Sequence, residues 1–117
     1  MSVFGFGRAS RMRKRYEFQL VQREGEKTHS KYFLVFVRAN PFGHCRLGIT
    51  VTKKIGSAVR RNHIKRIIRE VFRLHPQTFD FDQDIVVIAK QSASSADSDA
   101  LRSDFLRWAQ ARKRTAR

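Results

Sequence analysis

One amphipathic helix set between two strand-like segments constrains this fold more than any other feature of the chain. Between Ser57, which suits an N-cap, and Pro76, the residues Ile64, Ile67, Ile68, Val71, Phe72 and His75 recur at the i, i+3, i+4, i+7 spacing of one helical side. That spacing predicts a helix over about 57–74, closed before the proline. Ahead of it, "CRLGITVTKK" alternates Leu47, Ile49 and Val51 with Arg46, Gly48, Thr50 and Thr52, the period of a strand with one buried face. Behind it, "QDIVVIAK" is apolar without alternation, as in a strand covered on both faces. Strand, long helix, strand is a crossover unit, so these two strands are expected to be parallel. Crossovers of this type are generally right-handed.

The remaining elements follow from shorter signals. "RKRYEFQLVQREG" sets Phe18 and Val21, with Leu20 beside them, on one side of a short helix that Gly25 stops. "KYFLVFVRA" is rich in aromatic and β-branched residues and reads as a strand. Pro41 and Gly43 mark "NPFG" as a turn, and the short loop predicts that this strand and "CRLGITVTKK" pair as an antiparallel hairpin. "QSASSADSD" is a low-complexity link, after which Leu101, Phe105, Trp108 and Ala109, flanked by Leu106, mark a last helix from about Ser98. The expectation is an α+β fold, a two-layer sandwich on a mixed sheet of about four strands. Its order is helix, two or three strands, helix, strand, helix. The whole chain, 1–117, is expected to be a single domain, with 1–12 and 112–117 as flexible basic tails.

Charge points to function. The chain holds 25 Lys and Arg against 10 Asp and Glu, a net +15, and self-repulsion on that scale opposes compaction unless a counter-charged partner is at hand. Nucleic acid fits best, because a polyphosphate releases counterions to each Lys or Arg that meets it. An acidic membrane surface fits less well. The longest apolar run, 32–37, is far too short to span a bilayer, and the basic N-terminal segment lacks the apolar core of a signal peptide. Cys45 is the single cysteine, so the chain carries no internal disulfide and suits a reducing, cytoplasmic setting.

The predicted helix concentrates this charge. At roughly 100° per residue, Asn62, Lys65, Arg66, Arg69 and Arg73 gather on the side away from the apolar stripe, with Arg61 at the boundary. Arg60 and His63 point elsewhere, nearer the far edge of that stripe. A solvated helix face normally mixes signs, yet here Glu70, at the margin, is the one acid. The arrangement suits a surface that tracks phosphates, with Arg able to grip two oxygens at once. The amide of Asn62 suits a sugar hydroxyl, a base edge or a helix-end carbonyl. Backbone N–H groups of "GSAV" at the helix start offer a further phosphate site.

In "KYFLVFV", Tyr32, Leu34 and Phe36 face one way and Phe33, Val35 and Val37 the other. Such a strand is central and covered twice, or leaves an aromatic face on which unpaired bases stack at about 1–3 kcal/mol each. Phe18 is placed to line the same groove. His29, His44, His63 and His75 are scattered, without zinc-ligand spacing. Asp80, Asp82 and Asp84 fit either Mg²⁺ or, more simply, a capped turn into a strand. No nucleophile–base arrangement stands out, so residue chemistry alone describes a binder.

The middle segment, "LGITVTKKIGSAVRRNHIKRIIREVF", closely resembles the signature of the bacterial ribonuclease P protein family. Lys53, Lys54, Gly56, Ala58, Val59, Arg61, Asn62, Lys65, Arg66 and Arg69 fall in register with it. Weaker similarity extends over about 10–110. The third position of the family's Arg-Asn-Arg centre is His63 here, a substitution expected to make local binding sensitive to pH. The resemblance implies an α/β sandwich with a left-handed crossover, against the general rule. It also implies that the chain binds a catalytic ribonuclease P RNA, which uses Mg²⁺ to cleave precursor tRNA and free the mature 5′ end. No metal bound by the protein itself is expected, nor a membrane partner, and protein oligomerisation is not predicted. Carried over, Lys53, Arg60, Arg61, Asn62, Lys65, Arg66 and Arg69, with Lys54, His63 and Arg73 beside them, become candidate contacts to that RNA. Phe18, Phe33, Phe36 and Lys90 become candidates for a cleft that guides the single-stranded 5′ leader. Where the family's first helix has a further aromatic cleft position, this chain has Gln22. The alternatives are another RNA-binding module, such as a ribosomal or translation-factor-like domain, and a nuclease acting by itself, which would need an acid or histidine cluster.

Overall fold

The computed structural model describes residues 11–79 and 81–115. Its elements are helix α1 (Arg15–Glu24), strands β1 (Glu26–His29), β2 (Phe33–Ala39) and β3 (Arg46–Thr50), helix α2 (Ala58–Leu74), strand β4 (Gln83–Ala89) and helix α3 (Ser98–Thr115). Single 3-10 turns at Lys53–Ile55 and Gln91–Ser94 flank the crossover. The α+β class, the mixed four-stranded sheet and the element order match the expectation. Ser57 caps α2 as predicted, its side chain accepting the Arg60 N–H at 3.2 Å.

The strand order, β1-β2-β4-β3, corrects one expectation. β2 and β3 do not pair; β4 lies between them, antiparallel to β2 and parallel to β3. The parallel β3–β4 pair is the crossover product, in register from Arg46↔Asp84 to Thr50↔Ile88. The reason for the insertion is burial. Ile85, Val86 and Val87 are all essentially inaccessible, so β4 removes most apolar surface from water in the middle of the sheet. The connection over 40–45 is long enough to cross two strand spacings of roughly 4.8 Å each. Asn40 pins it to the start of β4, donating to Asp84 Oδ1 at 2.8 Å and to the His44 carbonyl at 3.1 Å. The antiparallel hairpin instead joins β1 to β2, and β1 escapes the pattern rules because "EKTH" has no apolar alternation.

α2 and α3 cover one face of the sheet. Phe33, Val35, Val37, Leu47, Ile85, Val87 and Ala89 meet Ile64, Ile67, Ile68, Val71, Phe72, Leu101 and Phe105 in one buried cluster. Phe105 stacks on Trp108 and Phe79, and the indole N–H of Trp108 reaches Thr28 Oγ1 at 2.9 Å, tying α3 to the edge strand. Asp104, buried on α3, accepts from Ser30 Oγ at 2.7 Å and from the backbone N–H groups of Lys31 and Tyr32, so it shapes the β1–β2 turn.

α1 lies on the opposite face with a smaller cluster of Met12, Val21 and Val86, joined by Phe18, Phe36 and Ile88. Gly48 permits this contact, because a Cβ there would stand 2.6 Å from Phe18 Cζ. An ion-pair network fastens α1 down. Arg46 Nη1 meets Glu17 at 2.9 Å, while its Nε and Nη2 grip both oxygens of Asp84 at 2.8 Å.

The packed chain begins two residues earlier than the expected 1–12 tail allows. Residues 1–10 lie outside the described residues, whereas Arg11 forms a parallel bridge with Leu47, and buried Met12 donates its N–H to the Leu47 carbonyl at 3.0 Å. At the other end Arg112 belongs to α3 and meets Glu26 at 2.9 Å; residues 116–117 are outside the described part.

Candidate nucleic-acid interface

The cationic side of α2 forms a groove of about 550 Å³ lined by Asn62, Arg66, Arg69, Glu70 and Arg73, with Arg11 closing its far wall. Asn62, Arg66 and Arg73 are exposed; Lys65 and Arg69 are half-buried. Burial and the neighbouring Arg11 charge both lower the pKa of the Arg69 guanidinium from its ordinary value. Glu70 does not neutralise the groove, because Arg102 of α3 holds its carboxylate at 2.7 Å. That hydrogen bond, working against burial, also keeps the Glu70 carboxyl below its ordinary pKa. Lys53 and Lys54 stand exposed on the turn that precedes α2. That turn ends at Gly56, whose φ of 155° suits glycine, and Arg61 Nε caps the Gly56 carbonyl at 3.2 Å.

Two sequence candidates are turned elsewhere. Arg60 points into the body, its guanidinium donating to the carbonyls of Ala93 at 2.8 Å, Ser94 at 3.1 Å and Ala96. His63, half-buried, places Nε2 2.7 Å from Ser98 Oγ at the start of α3. Both fasten α2 to the chain beyond β4, as their angular position beside the apolar stripe foreshadowed. Arg60→Ala is therefore expected to lower folding stability by about 2 kcal/mol, the scale of charged hydrogen bonds. Its RNA affinity should stay within twofold; urea unfolding alongside RNA titration separates the two effects.

On the α1 face the strands present ordered rows. Lys27, Phe36, Val86 and Gly48 form one, and His29, Leu34, Ile88 and Thr50 the next. Phe18 and Phe36 are half-buried at the α1 side of this surface. Lys90 follows β4 at its end, its Nζ bonded to the Ser30 carbonyl at 2.7 Å. Phe33 must be withdrawn from the leader-cleft candidates: it is fully buried on the other face, edge-on to Phe105. Side-chain alternation along β2 sends it beneath the helices whenever Phe36 faces outward. Gln22 is exposed on α1.

Among the described residues no group of three or more His, Cys, Asp or Glu is placed to hold a metal ion. Asp84, the acid expected either to bind Mg²⁺ or to cap the strand, spends both oxygens on Arg46 and Asn40, so its donor set does not fit Mg²⁺. No helix among the described residues is long and apolar enough to cross a membrane.

The family model for ribonuclease P matches residues 6–113. The chain belongs to the ribonuclease P protein family. It is thus the protein component of a ribonucleoprotein endoribonuclease of tRNA processing, whose partner is ribonuclease P RNA. The ribonuclease P protein component of Syntrophus aciditrophicus is 48% identical over 88 residues, covering 75% of this chain and 74% of the relative. That of Thermotoga maritima is 42% identical over 89 residues, covering 76% of each. The solved Thermotoga maritima protein superposes with a TM-score of 0.79 at 36% identity, covering 86% of this chain and 96% of its own. A Staphylococcus aureus ribonuclease P protein mutant with defective mRNA degradation activity gives a TM-score of 0.83 at 36% identity, covering 90% and 89%.

Membership does not say which side chains touch RNA. Arg11, which the ribonuclease P signature does not include, joins the groove only through the fold. Its one sequence signal is the neighbouring Met12, a lone apolar residue in a basic segment that marks where the chain turns inward.

Proposed function

We propose that the chain binds ribonuclease P RNA through the α2 groove and guides the 5′ leader of precursor tRNA over the sheet face beside α1. The observation that carries this is the separation of two surfaces of different chemistry. One is a guanidinium-lined groove suited to phosphates; the other is a half-buried aromatic and aliphatic floor suited to unpaired bases. In this division the catalytic RNA carries the Mg²⁺, and the protein offsets repulsion between two polyanions. Lys53, Lys54, Asn62, Lys65, Arg66, Arg69 and Arg73 face the catalytic RNA, while Phe18, Phe36 and Lys90 line the leader path. The setting proposed for this activity is the cytoplasm.

The test is reconstitution. Precursor-tRNA cleavage by a catalytic ribonuclease P RNA at physiological Mg²⁺ should rise on adding the chain, and more for substrates that keep their leader. Lys65→Gln should weaken assembly and reduce the logarithmic salt slope by about 0.7, one phosphate of non-duplex RNA. RNA binding without any gain in cleavage would favour a different RNA-binding role. Cleavage by the RNA-free protein would mark an independent nuclease.

A further inference from the structure

The rows of the sheet face beside α1 continue one step past the end of β2 and β4. The Lys90 N–H donates to the Tyr32 carbonyl at 2.9 Å, so these two residues stand opposite each other. They lie one stride of about 7 Å beyond Leu34 and Ile88. The turn that carries Tyr32 is clamped from two sides. Buried Asp104 takes the N–H groups of Lys31 and Tyr32 at 3.1 and 2.9 Å, together with Ser30 Oγ at 2.7 Å. From the other side Lys90 Nζ donates to the Ser30 carbonyl at 2.7 Å, and Ser92 Oγ to the Lys31 carbonyl at 3.0 Å. A turn that only joined β1 to β2 would need far fewer bonds. What this one presents is positive charge. Lys31 is exposed, with its Nζ 5.3 Å from the Tyr32 ring centroid. The Lys90 ammonium keeps two N–H donors beyond the one given to Ser30. Neither lysine belongs to a salt bridge among the described residues, and the Asp104 carboxylate is already met by three donors.

We infer that Lys31 and Lys90 hold one phosphate of the single-stranded 5′ leader at the Ser30–Tyr32 turn, with Asp104 as the positioning residue that fixes the turn. The inference rests on the leader-path reading and adds a cationic station at the far end of the aromatic and aliphatic floor. An ammonium group meets a phosphate as a point charge, so the station holds the backbone in place and reads no base.

The experiment uses the full chain assembled with a catalytic ribonuclease P RNA, and measures affinity for precursor tRNA with and without its leader. Lys31→Gln should weaken binding of the leader-bearing substrate roughly fourfold at about 0.15 M salt and lower the logarithmic salt slope by about 0.7. Lys31→Arg, which keeps the charge, should bind as the parent does. Affinity for the leaderless substrate and for the catalytic RNA should not change. Unfolding midpoints should also hold, since the bonds that fasten residue 31 are made by its backbone. Asp104→Asn, studied well below its unfolding midpoint, should lose leader affinity as well, and adding Lys31→Gln to it should cost little more. Unchanged leader affinity and slope for Lys31→Gln would overturn the station. An equal loss for the leaderless substrate would overturn it too, because the phosphate would then belong to another part of the RNA. Losses that multiply in the double variant would remove the positioning role of Asp104. Phe36→Leu, measured in parallel, tests the broader reading. If it weakens leader binding while Lys31→Gln does not, only the station fails; if neither does, the leader path beside α1 fails as well.

Discussion

Asp84→Ala is expected to destabilise the fold by about 3–5 kcal/mol, the scale for breaking a buried ion pair, since Arg46 keeps Glu17 on Nη1 but loses both oxygens that grip its Nε and Nη2. The Arg46 side chain is only 13% exposed and that of Asp84 6%, so water cannot replace the lost carboxylate. Asn40 would lose its acceptor at the same time, freeing the 40–45 loop from the central strand. Asp84→Asn, which keeps one acceptor oxygen, should cost less. Urea unfolding at neutral pH measures both, as a lower midpoint with an unchanged slope. The network also fixes the behaviour in acid. Burial opposes ionisation of Glu17, but Arg46 and the Lys14 and Arg13 backbone overcome it, holding the carboxyl below its ordinary 4.5. Its contribution is therefore complete above about pH 4.5 and vanishes as the pH falls through the lower folded-state value. A stability curve flat through that window would contradict the assignment of Glu17 to Arg46.

Neutralising three positions of the α2 groove together, Arg66→Gln, Arg69→Gln and Arg73→Gln, should have the largest effect on assembly. On the proposed reading the affinity for catalytic RNA falls roughly 50-fold at 0.15 M salt, and the logarithmic salt slope drops by about 2. The fold should not suffer. None of the three has an ion-pair partner among the salt bridges of the described residues, and removing like charges relieves repulsion along the helix. The thermal midpoint is expected to hold or rise while RNA binding collapses. Equal loss of both would mean that these arginines serve packing rather than RNA.

Much of this was legible in the sequence because apolar periodicity is a local signal. The stripe from Ile64 to Phe72 and the unbroken "IVVIA" report their own burial. Sheet order is a different matter: β2 and β4 both read as central strands, and nothing local says which of them takes β3. Burial of β4 favours the central place, and Asn40, Arg46 and Asp84, polar residues far apart in sequence that meet only in the folded chain, fasten that order. The same limit applies to the interface. Arg60 and Arg66 are identical as letters, yet one spends its guanidinium on the carbonyls after β4 and the other faces the groove. Arg11 was invisible for the opposite reason: its segment has no period at all, and only the backbone bridge to β3 places it.

That bridge has a consequence for how the free subunit behaves in solution. A sheet with an open edge invites a second copy to add a strand, the first step toward aggregation. Here β3 is shielded by residues 11 and 12, and the outer edge at β1 is four residues long and mostly charged or polar. The net charge of +15 adds repulsion between copies to this edge protection, so the free subunit is expected to run as a monomer in size-exclusion chromatography at low salt.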